Sequence, residues 1–65
     1  MIITLIDANN KSYLGEFDCQ GLIPDKLDII NTGDGQFRVL ERVIDYIGAA
    51  LNVELHVVKS LNVKV

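Results

Sequence analysis

Residues 53–65 read VELHVVKSLNVKV, and this stretch decides the class of fold. Its apolar residues occupy odd positions and its polar residues even positions, and only Val58 and Lys59 break the alternation. Successive side chains of a β-strand point to opposite faces, so the pattern predicts a strand with one buried and one solvent-facing side. A helix would scatter the same apolar residues around its circumference. The stretch therefore indicates a small domain built on a β-sheet.

Three further strands are predicted upstream, at residues 2–6, 12–18 and 26–32. The first (IITLI) is rich in β-branched residues, which favour strands, and the polar residues 7–11 form a turn to the second. Pro24 places a loop at 21–25, because proline cannot donate to a strand ladder. Gly33-Asp34-Gly35 is the strongest turn signal and predicts a tight primed turn, with glycine supplying a positive φ.

Segment 36–51 supports two interpretations. Apolar residues recur at a spacing of 3, 4, 3 and 4, which is typical of one face of a helix: Phe37, Leu40, Ile44, Ile47 and Leu51. The β-branched residues of the same segment instead favour a long bent strand over 36–46, followed by an apolar loop over 47–52. Gly48 would weaken the helix by about 1 kcal/mol relative to alanine. Periodicity alone leaves both interpretations open.

The length of 65 residues suits a single domain spanning 1–65. A domain of this size buries only about 60% of the surface of its unfolded chain, so its core is thin. Small folds often need disulfides, a metal or a partner chain for stability. One Cys and one His provide neither a disulfide nor, by themselves, a metal site. The stability of the fold must therefore come from good packing or from self-association.

The lone Cys19 fits a reducing compartment better than a secreted one. The apolar start of the chain ends at Asp7, and no apolar run approaches the ~20 residues of a membrane span. We therefore expect a cytoplasmic protein that does not enter a membrane.

The formal net charge is −3, with −4 on residues 1–36 and +1 on residues 37–65. An acidic chain disfavours general attraction to nucleic acid, although a small basic patch in the second half is compatible with it.

The order of features over residues 24–59 resembles the small SH3-like β-barrel proteins of bacteria and phages. Pro24 precedes an acidic and apolar strand, then Gly33-Asp34-Gly35, then FRVLERVIDY and the alternating VELHVV. The chain departs from that family in having Lys26-Leu27-Asp28 where a Gly-Asp pair is common, and in its apolar 47–52 segment. The resemblance favours an all-β, SH3-like barrel of about five strands. The alternative is an α+β fold with a helix at 36–51 packed on an antiparallel sheet.

No group of residues in the sequence predicts catalysis, a metal site or a cofactor. His56 is expected to be a solvent-facing residue beside Glu54, because a catalytic or metal site needs at least three placed groups. Cys19 follows Asp18, which disfavours a reactive thiolate, and is expected to be half-buried. Gly33-Asp34-Gly35 lacks the further residues of a phosphate or calcium loop. We therefore expect a protein that is not an enzyme.

Arg38, Arg42 and Tyr46 are the candidate binding residues. In a regular strand, residues 38, 40, 42, 44 and 46 share one face, which combines two guanidinium groups with apolar and aromatic contacts. Such a face could hold an acidic peptide, or a phosphate backbone with stacked bases.

The resemblance implies a binding module rather than an enzyme, and the fold does not identify the ligand. We expect a non-enzymatic module that binds a protein partner or itself, through this face or through the apolar 47–51 segment. The alternatives are a nucleic-acid-binding barrel and an assembly subunit of a phage or larger complex.

Overall fold

The computed structural model describes residues 1–48 and 50–60, and in this part of the chain it contains five strands and no helix. The all-β prediction, with about five strands, is therefore confirmed. Within the same residues no helix is long and apolar enough to cross a membrane. The strands are β1 (Ile2–Asp7), β2 (Tyr13–Asp18), β3 (Ile29–Thr32), β4 (Gly35–Ile47) and β5 (Ala50–Lys59).

The five strands form one mixed sheet in the order β2-β1-β5-β4-β3, which curls into a half-barrel. Neighbouring strands are antiparallel except β1 and β5, which run parallel from Ile3 opposite Val53 to Asp7 opposite Val57. The inner face of the curl carries the apolar core. The first and last strands of the order, β2 and β3, form the two edges of the sheet.

Segment 36–51 is β4, a turn and the beginning of β5, so the alternative interpretation as a helix is wrong. The predicted loop over 47–52 is also wrong, because β5 already begins at Ala50 and Gly48 makes the turn with a φ of 61°. The apparent helical spacing does not follow one face of the strand, since Ile47 lies on the face opposite to Phe37 and Ile44. A β-bulge between Val39 and Glu41 inserts an extra residue into β4 and shifts the alternation of side chains after it.

The core is formed by seven buried side chains on β1, β4 and β5: Ile3, Leu5, Phe37, Val39, Val53, Leu55 and Val57. The predicted alternation of β5 is thus confirmed at residues 53–57, whereas residues 61–65 lie outside the described part. Lys59, which interrupted the sequence pattern, still pairs regularly with Phe37. Its Nζ donates a hydrogen bond to the carbonyl oxygen of Asp34 at 3.1 Å, so the charged end leaves the core.

Candidate functional site

The end of the β4–β5 hairpin extends beyond the rest of the sheet. On β5, pairing with β1 begins only at Val53, and on β4, pairing with β3 ends at Arg38. Residues 43–48 and 50–52, which we call the distal hairpin, therefore have no strand partner in the described chain except the other strand of the same hairpin. The projection helps to give the molecule its extents of 47 × 26 × 19 Å. An isolated two-stranded hairpin is marginally stable in water, so this segment gains from any surface that covers it.

The bulge in β4 separates the three candidate binding residues. Arg38 lies opposite Val58 on the outer face of the sheet, whereas Arg42 lies opposite Leu55 and Tyr46 opposite Leu51 on the inner face. The prediction that residues 38 and 42 share a face is therefore wrong. The inward apolar residues of β4 change from odd positions before the bulge to even positions after it.

Arg42 is also engaged by a neighbouring acid. Its Nη2 lies 3.7 Å from Oδ1 of Asp25, in a loop that runs beside β4. This loop is held by two backbone hydrogen bonds, from Leu27 N to Val39 O at 2.8 Å and from Val39 N to Asp28 O at 2.9 Å. The acidic loop thus offsets the charge of Arg42, and the two arginines do not form one basic surface among the described residues.

An apolar patch continues the inner face onto the distal hairpin. We call it the hairpin patch, and it consists of Ile44, Tyr46 and Leu51. Tyr46 is 81% exposed and pairs with Leu51, while Ile44 pairs with the buried Val53. Arg42 precedes the patch on the same face. The patch therefore continues the core surface onto a hairpin that has no further strand partner in the described chain, and Ile44 and Leu51 there are 36% and 39% exposed.

The opposite face of the distal hairpin is different. Ile47 is 67% exposed there and pairs with Ala50, and Asp45 pairs with Asn52. Asp45 is the only charged residue between positions 43 and 52. The sequence grouped residues 47–51 as one apolar loop, but the alternation of the two strands sends Ile47 and Leu51 to opposite faces.

His56 lies beside a carboxylate, and Cys19 lies beside backbone carbonyl groups. His56 is half-buried rather than solvent-facing, and its Nε2 lies 3.3 Å from Oε1 of Glu54. The Sγ of Cys19 is half-buried and lies 3.4 Å from the carbonyl oxygen of Leu22. Among residues 1–48 and 50–60, no group of three or more His, Cys, Asp and Glu side chains is placed to hold a metal ion.

Two surfaces stand out from this description. One is the hairpin patch, and the other is a cleft on the inner face between the edge strands β2 and β3, with a volume of about 660 Å³. Comparison of the chain with protein-family models, with curated proteins and with solved structures finds no match.

Proposed function

We propose that this protein is a non-enzymatic, cytoplasmic interaction module that associates with a second copy of itself through the hairpin patch. The observation that supports this most is the exposure of Ile44, Tyr46 and Leu51 on a two-stranded projection. Contiguous apolar surface that reaches beyond the body of a small domain is typical of contact sites between proteins. The SH3-like relationship remains a hypothesis beside this proposal.

The balance of buried and exposed apolar side chains supports an interaction role. Seven hydrophobic residues are buried, whereas twelve large ones are exposed in the described chain. Burial of a large apolar side chain contributes about 1.5–3 kcal/mol. A seven-residue core is small against the conformational entropy that folding must overcome. Covering further apolar surface at an interface would therefore stabilise the fold itself.

Two features favour a second copy as the partner. First, the chain has a single Cys and, in its described part, no metal cluster, so good packing or association remains as the means by which a small fold is reinforced, and only seven hydrophobic residues are buried. Second, a surface that selects a different, charged partner needs charge of its own, and the distal hairpin carries only Asp45. If two copies meet through the inner faces of their distal hairpins, the Asp45 carboxylate of each copy lies on the outer face, away from the contact. The repulsion between the two carboxylates is therefore small. A self-complementary patch of this kind generates a two-fold dimer.

Sedimentation equilibrium over a concentration series tests the proposal. We expect a reversible monomer–dimer equilibrium, and we expect Tyr46→Ser to weaken it by about 30-fold or more, since central aromatic residues of interfaces contribute about 2 kcal/mol or more. Ile47→Ser is the matched control, because Ile47 is also exposed on the distal hairpin but lies on the opposite face. It should leave the dimerisation constant unchanged.

A strict monomer at all concentrations would contradict the proposal, as would equal effects of Tyr46→Ser and Ile47→Ser. The nucleic-acid alternative has no comparable support. Its expected surface needed Arg38 and Arg42 on one face, and the bulge places them on opposite faces. The assembly-subunit alternative is compatible with self-association and shares its test.

A further inference from the structure

We propose that the cleft between β2 and β3 binds an extended segment of another protein in which apolar and basic residues alternate. This goes beyond the proposed self-association and involves a different surface. The cleft lies on the inner face of the half-barrel, where the curl of the sheet brings its two edges to the same cavity. Its volume of about 660 Å³ accommodates several side chains.

The floor of the cleft is apolar. Each of the five strands contributes one inward side chain to it: Leu5, Phe17, Ile30, Phe37 and Val57. Leu5, Phe37 and Val57 belong to the core, and Phe17 and Ile30 pack against it while remaining half-buried. An apolar side chain entering from outside would therefore contact the core of the domain directly, and its removal from water would favour binding.

The walls of the cleft are strand edges. Within the described residues, β2 pairs only with β1 and β3 only with β4, so both present backbone N–H and C=O groups on their outer sides. An extended peptide can add to such an edge through main-chain hydrogen bonds. Gly15 on β2 lines the cleft, and a Cβ built there would meet nothing within 4 Å. The inner face of β2 is thus open above Gly15.

The rim of the cleft is acidic, which selects the chemistry of the peptide. Asp7 and Asp34 line it together with a single cation, Lys59, whereas Glu16 pairs with Thr4 on the outer face of the sheet. The ammonium group of Lys59 already donates to the carbonyl oxygen of Asp34. Lysine or arginine residues that flank the apolar side chains of the peptide would meet the two carboxylates, whereas acidic residues would be repelled. Because these groups are near the surface, the attraction should weaken as salt is added.

Fluorescence anisotropy with three labelled heptapeptides tests the proposal on the whole protein. The first alternates lysine with valine, the second replaces lysine by glutamate, and the third replaces valine by serine. We expect saturable binding of the lysine–valine peptide only. Asp34→Lys should weaken that binding at least fivefold, whereas Asp45→Lys, the same charge change on the distal hairpin, should leave it unchanged. Tyr46→Ser should also leave it unchanged, which separates this site from self-association.

Amide chemical shifts locate the bound peptide. Binding should shift residues of Tyr13–Asp18 and Ile29–Thr32, with salt-sensitive affinity. The proposal is overturned if none of the three peptides binds, if the glutamate–valine peptide binds equally well, or if the shifts map to the distal hairpin. It is also overturned if a second copy of the chain, rather than the peptide, is found in the cleft by intermolecular contacts between labelled and unlabelled protein.

Discussion

Leu55→Ala should destabilise the domain by about 2–5 kcal/mol, enough to unfold a large fraction of it at 25 °C. Leu55 is fully buried at the centre of β5, between neighbours on β1 and β4. Shortening such a side chain removes its transfer free energy and leaves a cavity. Single cores of this size rarely supply more than about 3–5 kcal/mol of stability. Urea denaturation followed by circular dichroism measures the loss.

The same substitution at Leu22 is the control for this prediction. Leu22 is 96% exposed in the loop after β2, so Leu22→Ala should change the free energy of unfolding by less than about 0.5 kcal/mol. Both denaturation experiments should be carried out at a low protein concentration, at which dimerisation does not contribute to the free energy of unfolding. Similar midpoints for the two variants would show that the inner face of β5 is not the core.

Gly35→Ala should destabilise the domain by about 1–3 kcal/mol, because Gly35 has a φ of +129°, which side chains of L-residues rarely adopt. A Cβ there would also lie 3.1 Å from Cε of Lys59, although the flexible lysine can move away. The Lys59 ammonium, however, is hydrogen-bonded to the Asp34 carbonyl oxygen, so its movement disturbs the β3–β4 turn. Urea denaturation again provides the measurement.

Gly33→Ala is the matched control on the other side of Asp34. The φ of Gly33 is not positive, and a Cβ there would meet nothing within 4 Å. We expect a change within about 0.5 kcal/mol. The sequence predicted a tight primed turn here, and the turn is tight, with Thr32 paired to Gly35. It is not primed, since the left-handed backbone lies at Gly35 rather than at the central residues. A larger loss at Gly33 than at Gly35 would contradict this geometry.

The sequence predicted the strands well where the side-chain period was regular. In β5, the alternation from Val53 to Val57 reflects one face on the core and one turned away, so local pattern and tertiary packing agree. The prediction failed at bulges, where one extra residue reverses the faces. The bulge in β4 separated Arg38 from Arg42. A bulge depends on pairing with a distant strand, which periodicity does not report.

The candidate surfaces depended even more on long-range pairing. The parallel contact of β1 with β5 joins the two ends of the described chain, and it determines which part of the β4–β5 hairpin remains uncovered. The cleft likewise arises because the curled sheet brings β2 and β3 to one cavity. The apolar residues of both surfaces were visible in the sequence. Which of these residues are exposed together, however, depends on the order of the strands in the sheet, and the sequence pattern does not give that order.

Self-association through the hairpin patch is tested most directly by a dilution series of amide chemical shifts. We expect concentration-dependent shifts confined to the inner face of the distal hairpin, centred on Tyr46 and Leu51 and abolished by Tyr46→Ser. Residues of β2, such as Phe17, should not move. Shifts that are independent of concentration, or that centre on β2 and β3 instead of the distal hairpin, would contradict the proposal.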